Sequence, residues 1–193
     1  MESKIYLFKD RKDYVVKITD DNIINIVGSV GSGKSTYARK YKNNKDYLII
    51  GIDSLYSNKD PDTLNNDILE LRTMLKEKYG TIDKNNFIYY DDIVNYIKAK
   101  DKKGIIEGYN LIKINDILKF RGHVIVKRTP RFKCFYRSVL RDFKNPVWRV
   151  GLNYFGLIKR FFHCFKRRFN LIFNQTHIEN FIKKLEKYKK TSY

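Results

Sequence analysis

An α/β fold is what the 193-residue sequence predicts, and three observations predict it. Short apolar runs of strand length recur at Ile23–Val27, Asp46–Asp53, Gly104–Gly108, His123–Val126 and Phe169–Phe173. Segments of helical periodicity alternate with them. A glycine-rich stretch, 28–33, joins the first of these runs to a helix over Ser35–Tyr41 that stops at Asn43-Asn44. The length suits a single domain over 1–193 with a proper core.

Ahead of the first buried strand, Lys4–Phe8 and Tyr14–Ile18 read as two strands about a polar turn at Asp10–Asp13. They form an N-terminal β-hairpin extension over 1–21, and no chemistry attaches to it.

The glycine-rich stretch fits G-x-x-x-x-G-K-[ST], the phosphate-binding loop or Walker A pattern, and covers Gly28, Ser29, Val30, Gly31, Ser32, Gly33, Lys34, Ser35 and Thr36. Glycines let such a backbone curl so that successive N–H groups face phosphate oxygens. Lys34 is the residue for the β- and γ-phosphates, and the Ser35 hydroxyl is the one for Mg²⁺. The strand–loop–helix order is the context the motif requires. It points to a bound nucleotide with Mg²⁺.

Two of the strands end in an acid. Asp53 follows Tyr47–Ile52, and at a strand's carboxyl end it is placed to take a proton from an acceptor hydroxyl or to reach Mg²⁺; its plainer role is a helix or turn cap. Glu107 closes Gly104-Ile105-Ile106-Glu107-Gly108 and is the candidate for ordering Mg²⁺ and its waters. Between these strands the spacing of Leu64, Ile68, Leu71 and Leu75 predicts a helix stopped near Gly80. A second, shorter helix is predicted over Asp91–Lys100. Arg72, Tyr89 and Tyr90 read as surface or core rather than substrate contacts.

After the strand at 123–126, Thr129-Pro130 reads as N-cap and first residue of a helix, with Phe132, Phe135, Val139 and Phe143 facing inward. Lys133, Arg137 and Arg141, spaced by four, line another face. A cation row beside a phosphate site can clamp a transferring phosphoryl group; the alternative is a solvated face. Residues 146–168 then carry an apolar stripe, Leu152, Phe155, Ile158, Phe162, Phe165 and Phe169, amid Lys159, Arg160, Lys166, Arg167 and Arg168. The region 131–168 is expected to be basic, helical and lid-like. Thr176 with Glu179 reads as a capping box opening a final helix.

The formal net charge of +19 is unevenly placed. Residues 119–193 hold 20 Lys and Arg against three acids, Asp142, Glu179 and Glu186, a net of +17. That asymmetry suits a polyanionic partner. Cys134 and Cys164 have no metal-ligand spacing and suit free thiols in a reducing cytoplasm. With no run of 18 apolar residues and no apolar leader at Met1-Glu2-Ser3-Lys4, no transmembrane segment is expected, and the expected location is cytoplasmic.

The pieces together resemble the small P-loop kinases of the adenylate-kinase and uridine-kinase type, and most of all the DNA topology modulation (FlaR-like) proteins. The likeness rests on residues 26–36, Asp53, Ile105–Gly108, Arg128-Thr129-Pro130 and Tyr136-Arg137. Asp53–Tyr56 and Arg137–Asp142 are similar to stretches of uridine kinases. The resemblance implies a three-layer P-loop NTPase fold with a mostly parallel five-stranded sheet flanked by helices. It also implies that the bound nucleotide is ATP, with Mg²⁺, and that arginines, here Arg137 and Arg141, close over the phosphates. Lys127-Arg128 stands where the family carries an acid, and residues 57–103 show no likeness to the uridine-kinase substrate segment.

The expected activity is phosphoryl transfer from ATP to a small acceptor, a nucleoside or nucleotide, with Lys34, Asp53, Arg137 and Arg141 catalytic and Ser35, Glu107 and Asp53 on the metal. Two alternatives stand beside it. One is a nucleic-acid-directed enzyme resembling a 5′-hydroxyl polynucleotide kinase. The other is a regulatory nucleotide-binding module that engages DNA or a membrane through its basic C-terminal region.

Overall fold

A computed structural model of the chain describes residues 12–55, 66–82, 89–114, 116–144, 162, 165–166, 169–170 and 176–191. Five strands form one sheet: β1 (Tyr14–Lys17), β2 (Ile23–Gly28), β3 (Tyr47–Gly51), β4 (Lys103–Glu107) and β5 (His123–Lys127), in the order β1-β5-β2-β4-β3. The helices are α1 (Lys34–Ala38), α2 (Ile52–Leu55), α3 (Asn66–Tyr79), α4 (Tyr90–Ala99), α5 (Arg131–Lys144) and α6 (Thr176–Thr191). Among the described residues, no helix is long and apolar enough to cross a membrane.

The chain is therefore α/β, with a five-stranded sheet flanked by helices, but the sheet is mixed. The pairs β2–β4, β2–β5 and β3–β4 are parallel, whereas β1 runs antiparallel to β5. Two expectations are corrected here. Phe169 and Asn170, the start of the strand expected over 169–173, are helical, and the fifth strand is β1. Tyr14–Lys17, read as the second arm of a hairpin, spends its hydrogen bonds on β5 as a sheet edge. The first arm, 4–8, lies outside the described residues, as do Leu152, Phe155, Ile158, Lys159, Arg160, Cys164, Arg167, Arg168 and the Phe143 side chain.

Strand alternation divides the core. Val27, Leu48, Ile50, Ile106, Val124 and Val126 face a large cluster completed by Ile68, Leu71 and Leu75 of α3, Ile93 and Ile97 of α4, and Phe181 and Leu185 of α6. The intervening residues Ile26 and Ile105 face the other way and pack with Ala38 of α1. A period of two places successive side chains on opposite faces, so both faces need cover and both receive helices. Asn25 is a buried polar exception on the larger face. Its amide donates to the Arg121 and His123 carbonyls at 2.7 and 3.2 Å and accepts from the Tyr90 hydroxyl at 2.8 Å, so its burial leaves nothing unmet.

The helix after the glycine-rich loop begins at Lys34, one residue earlier than expected, and tightens into a 3-10 turn over Arg39–Tyr41. Asp53 lies two residues past β3, in the first turn of α2. Glu179, expected in a capping box, sits in the first turn of α6 and takes an ion pair from Arg131.

Candidate functional site

The four parallel strands end at Gly28, Gly51, Glu107 and Lys127, on one edge of the sheet. Ligands of open α/β sheets bind at that edge, because the loops leaving the strands are free to diverge there. A cleft of about 740 Å³ lies on it. Val30, Gly31, Ser32, Gly33, Lys34, Ser35, Thr36, Asp53, Glu107, Arg137 and Arg141 all line it, with Lys133. Residues from three strand ends and one helix, chosen from separate parts of the sequence, thus meet in one place. Gly28 and Ser29 are not in its lining and contribute through their carbonyls.

Those carbonyls receive Lys34. Its Nζ donates to Gly28 O and Ser29 O, each at 2.9 Å, which folds the ammonium back onto its own loop. Burial holds the Lys34 pKa below the ordinary lysine value, against the opposing pull of the Glu107 and Asp53 carboxylates. The Ser32 hydroxyl oxygen is buried and lacks a hydrogen-bond partner, although its residue lines the cleft. A buried hydroxyl with no partner is a place where a ligand oxygen gains a bond at no competing cost.

Glu107 is set by the sheet. It lies level with Gly51 of β3 and Ile26 of β2, and its Oε1 accepts from Ser35 Oγ at 2.8 Å. Together with exposed Asp53, the set is two carboxylates and a hydroxyl. Those are hard oxygen donors of the kind that Mg²⁺ takes one or two at a time, keeping waters and phosphate oxygens for its other positions. Among the described residues no group of three or more His, Cys, Asp or Glu is placed to hold a metal ion.

The start of α5 is docked onto the loop. Thr129, expected to cap α5, donates its hydroxyl to the Ser32 carbonyl at 2.7 Å. Ser29 Oγ donates to Cys134 Sγ at 3.4 Å, and burial pushes the Cys134 thiol pKa up. A Cβ on Gly31, whose φ is 77°, would stand 2.3 Å from the Cys134 carbonyl oxygen. This close seating carries Arg137 to Gly33, with Nη1 3.7 Å from where a Cβ on that glycine would be. Of the face expected inward, Phe135 is buried while Phe132 is half exposed. Cys134 and Ser138 are buried instead.

Sequence reasoning missed Thr129, Cys134 and Tyr37 as parts of the site. Tyr37 and Lys127 both line the cleft, and the Lys127 ammonium lies 5.1 Å from the Tyr37 ring centroid while pairing with Asp13. The one available signal was Lys127-Arg128 standing where an acid was expected. Tyr89 and Tyr90 are core residues, and Arg72 does not line the cleft. No protein-family model matches the chain, and no curated protein matches it.

Proposed function

We propose that this chain is an ATP- and Mg²⁺-dependent phosphotransferase with a P-loop NTPase fold, acting on a small acceptor of the nucleoside or nucleotide class. The observation that carries the reading is the meeting, in one cleft, of the loop residues 30–33 with Lys34, the Ser35–Glu107 hydrogen bond, Asp53 and the row Lys133, Arg137 and Arg141. Phosphoryl transfer needs little covalent chemistry from a protein. It needs phosphates held in place, and positive charge where negative charge spreads in the transition state.

Bound ATP–Mg²⁺ supplies the γ-phosphoryl group and a cation to neutralise its oxygens; Ser35, Glu107 and Asp53 would hold that cation. The chain's own residues do the rest. Lys34 exchanges its two carbonyl partners for phosphate oxygens. Loop N–H groups and the Ser32 hydroxyl add hydrogen bonds. Asp53 takes the proton from the acceptor hydroxyl, and Arg137 and Arg141 stabilise the charge on the group in flight.

The test is ATP consumption across nucleosides, nucleotides and small alcohols, with Mg²⁺ and with a chelator, in wild-type and Lys34→Ala proteins. Mg²⁺-dependent turnover lost in Lys34→Ala is the expected result. ATP affinity that is absent from the wild type, or unchanged in Lys34→Ala, would overturn the reading.

A further inference from the structure

The cleft carries more positive charge than a single nucleotide requires. Seven Lys and Arg side chains line it against the carboxylates of Asp53 and Glu107. Beside it, α5 presents a second row. Phe132, Tyr136 and Leu140 stand at i, i+4 and i+8, each one position before Lys133, Arg137 and Arg141. One residue on a helix is a rotation of about 100°, so the two rows run parallel along adjacent faces of one helix. The apolar row is solvent-exposed: Phe132 by 50% and Tyr136 by 57%. Phe165 and Phe169 pack on Phe135 of the same helix with centroids at 4.7 and 6.1 Å and still expose 40% and 45% of their surface.

We infer that this paired strip is a binding track for single-stranded nucleic acid; it shares Lys133, Arg137 and Arg141 with the phosphotransfer cleft proposed above and adds the exposed rings of α5 to them. A strand without sequence preference is held by cations that follow its phosphates and by aromatic faces on which its bases stack, and the two rows of α5 supply one of each. The charge is complementary: the segment 119–193 has a net of +17. Shape selects among polyanions. The cations of the strip line a concave cleft, which a flat anionic bilayer does not enter and a single strand does. On α5 the exposed large apolar groups among the described residues are the rings of Phe132 and Tyr136 and one aliphatic, Leu140, and unpaired bases have free faces for rings whereas paired ones do not.

The test is fluorescence anisotropy with a labelled thymidine oligonucleotide of about 12 nucleotides, a length within the usual range for one such site. Contacts from three cations predict that log affinity falls with log salt at a slope of about −2. The double variant Phe132→Ala/Tyr136→Ala should bind about tenfold or more weakly at unchanged slope, because stacking is lost and phosphate contacts are kept. Tyr136→Phe keeps the ring and should bind as the wild type does. ATP affinity, measured in parallel on the double variant, should not move, so a failure here is separate from a failure of the phosphotransfer reading. Equal binding of the duplex, oligonucleotide binding indifferent to the double variant, or sedimentation with phosphatidylserine vesicles that depends on Phe132 and Tyr136 in place of oligonucleotide binding would each overturn the inference.

Discussion

Ser35 Oγ donates to Glu107 Oε1 at 2.8 Å, across 72 residues of chain, and Asp53 lines the same cleft without occupying that bond. The two acids therefore differ in what they touch. Glu107 is tied to the Ser35 hydroxyl beside the glycine-rich loop, whereas exposed Asp53 lines the cleft; on the proposed reading Glu107 serves the cation and Asp53 the acceptor. Glu107→Gln is expected to raise the Mg²⁺ concentration needed for half-maximal turnover, and Asp53→Asn to slow the chemical step with ATP affinity kept. Single-turnover rates across a Mg²⁺ titration separate the two; identical behaviour would refute the division.

Lys34 bears on stability through its burial. Its pKa is lowered below 10.5 chiefly by burial. Between the lowered value and 10.5 the unfolded chain keeps a proton that the folded chain has released, so stability rises with pH across that window. Lys34→Met removes the buried charge but also the ammonium donor to the Gly28 and Ser29 carbonyls, of which Ser29 O keeps the Ser32 N–H at 3.1 Å. These effects oppose, and the melting temperature should stay within about 4 °C of wild type, the shift expected for one kcal/mol at this chain length. The rise toward pH 10.5 should shrink in the variant while nucleotide binding disappears. Denaturant melts over that pH range check both.

Arg141 interacts electrostatically with Lys34 and lines the cleft from the third turn of α5. If it stabilises the transferring group, Arg141→Ala should lower turnover by about 10³-fold, as loss of an arginine finger does. ATP affinity should change far less than turnover. A drop confined to affinity would reassign Arg141 to ground-state binding.

Tyr90 ties the core to the sheet. Its hydroxyl donates to Asn25 Oδ1 at 2.8 Å and accepts from Arg121 N at 3.1 Å. Tyr90→Phe leaves a buried acceptor and a backbone donor without it, at a cost of about 1–3 kcal/mol. Burial pushes the Tyr90 pKa from 10.0 up to about 12. A raised pKa contributes stability that is whole below pH 10 and lost as pH passes through 12, because the unfolded tyrosine ionises first. The gap between wild type and Tyr90→Phe should therefore narrow from pH 10 to pH 12 in denaturant melts.

What was legible in the sequence was local. Lys34 and Ser35 belong to a spaced motif, Asp53 and Glu107 follow apolar runs, and Arg137 and Arg141 share a helix face by a spacing of four. What was illegible depends on partners distant in the chain. Whether Tyr14–Lys17 pairs with a neighbouring arm or with β5 is a choice between distant hydrogen-bond partners, and periodicity is the same for both. Phe169–Phe173 is short and apolar, and periodicity over so few residues does not separate a strand from a helical turn. On α5, the inward face was assigned from the largest apolar residues. The helix lies instead against a loop of backbone, so the small residues Cys134 and Ser138 face inward and Phe132 is left outside.

Gly31 shows the same limit inside the motif itself, where the pattern leaves its position free. Its φ of 77° lies in the left-handed region, where a side chain costs backbone energy, and a Cβ would stand 2.3 Å from the Cys134 carbonyl oxygen. That atom is backbone in the first turn of α5, so it cannot swing aside as a side chain would. Gly31→Ala must therefore move either the loop or the helix. Movement of the helix breaks the Thr129–Ser32 and Ser29–Cys134 contacts and carries Arg137 away from Gly33. The expected outcome is a loss of about 1–3 kcal/mol in stability, the usual range for forced overpacking, together with weaker ATP binding. Gly80→Ala is the control. It has a similar φ of 73° but nothing within 4 Å of its Cβ, so it carries the backbone cost alone. If the two variants match in both melting temperature and ATP affinity, the seating of α5 on the loop contributes nothing to the site.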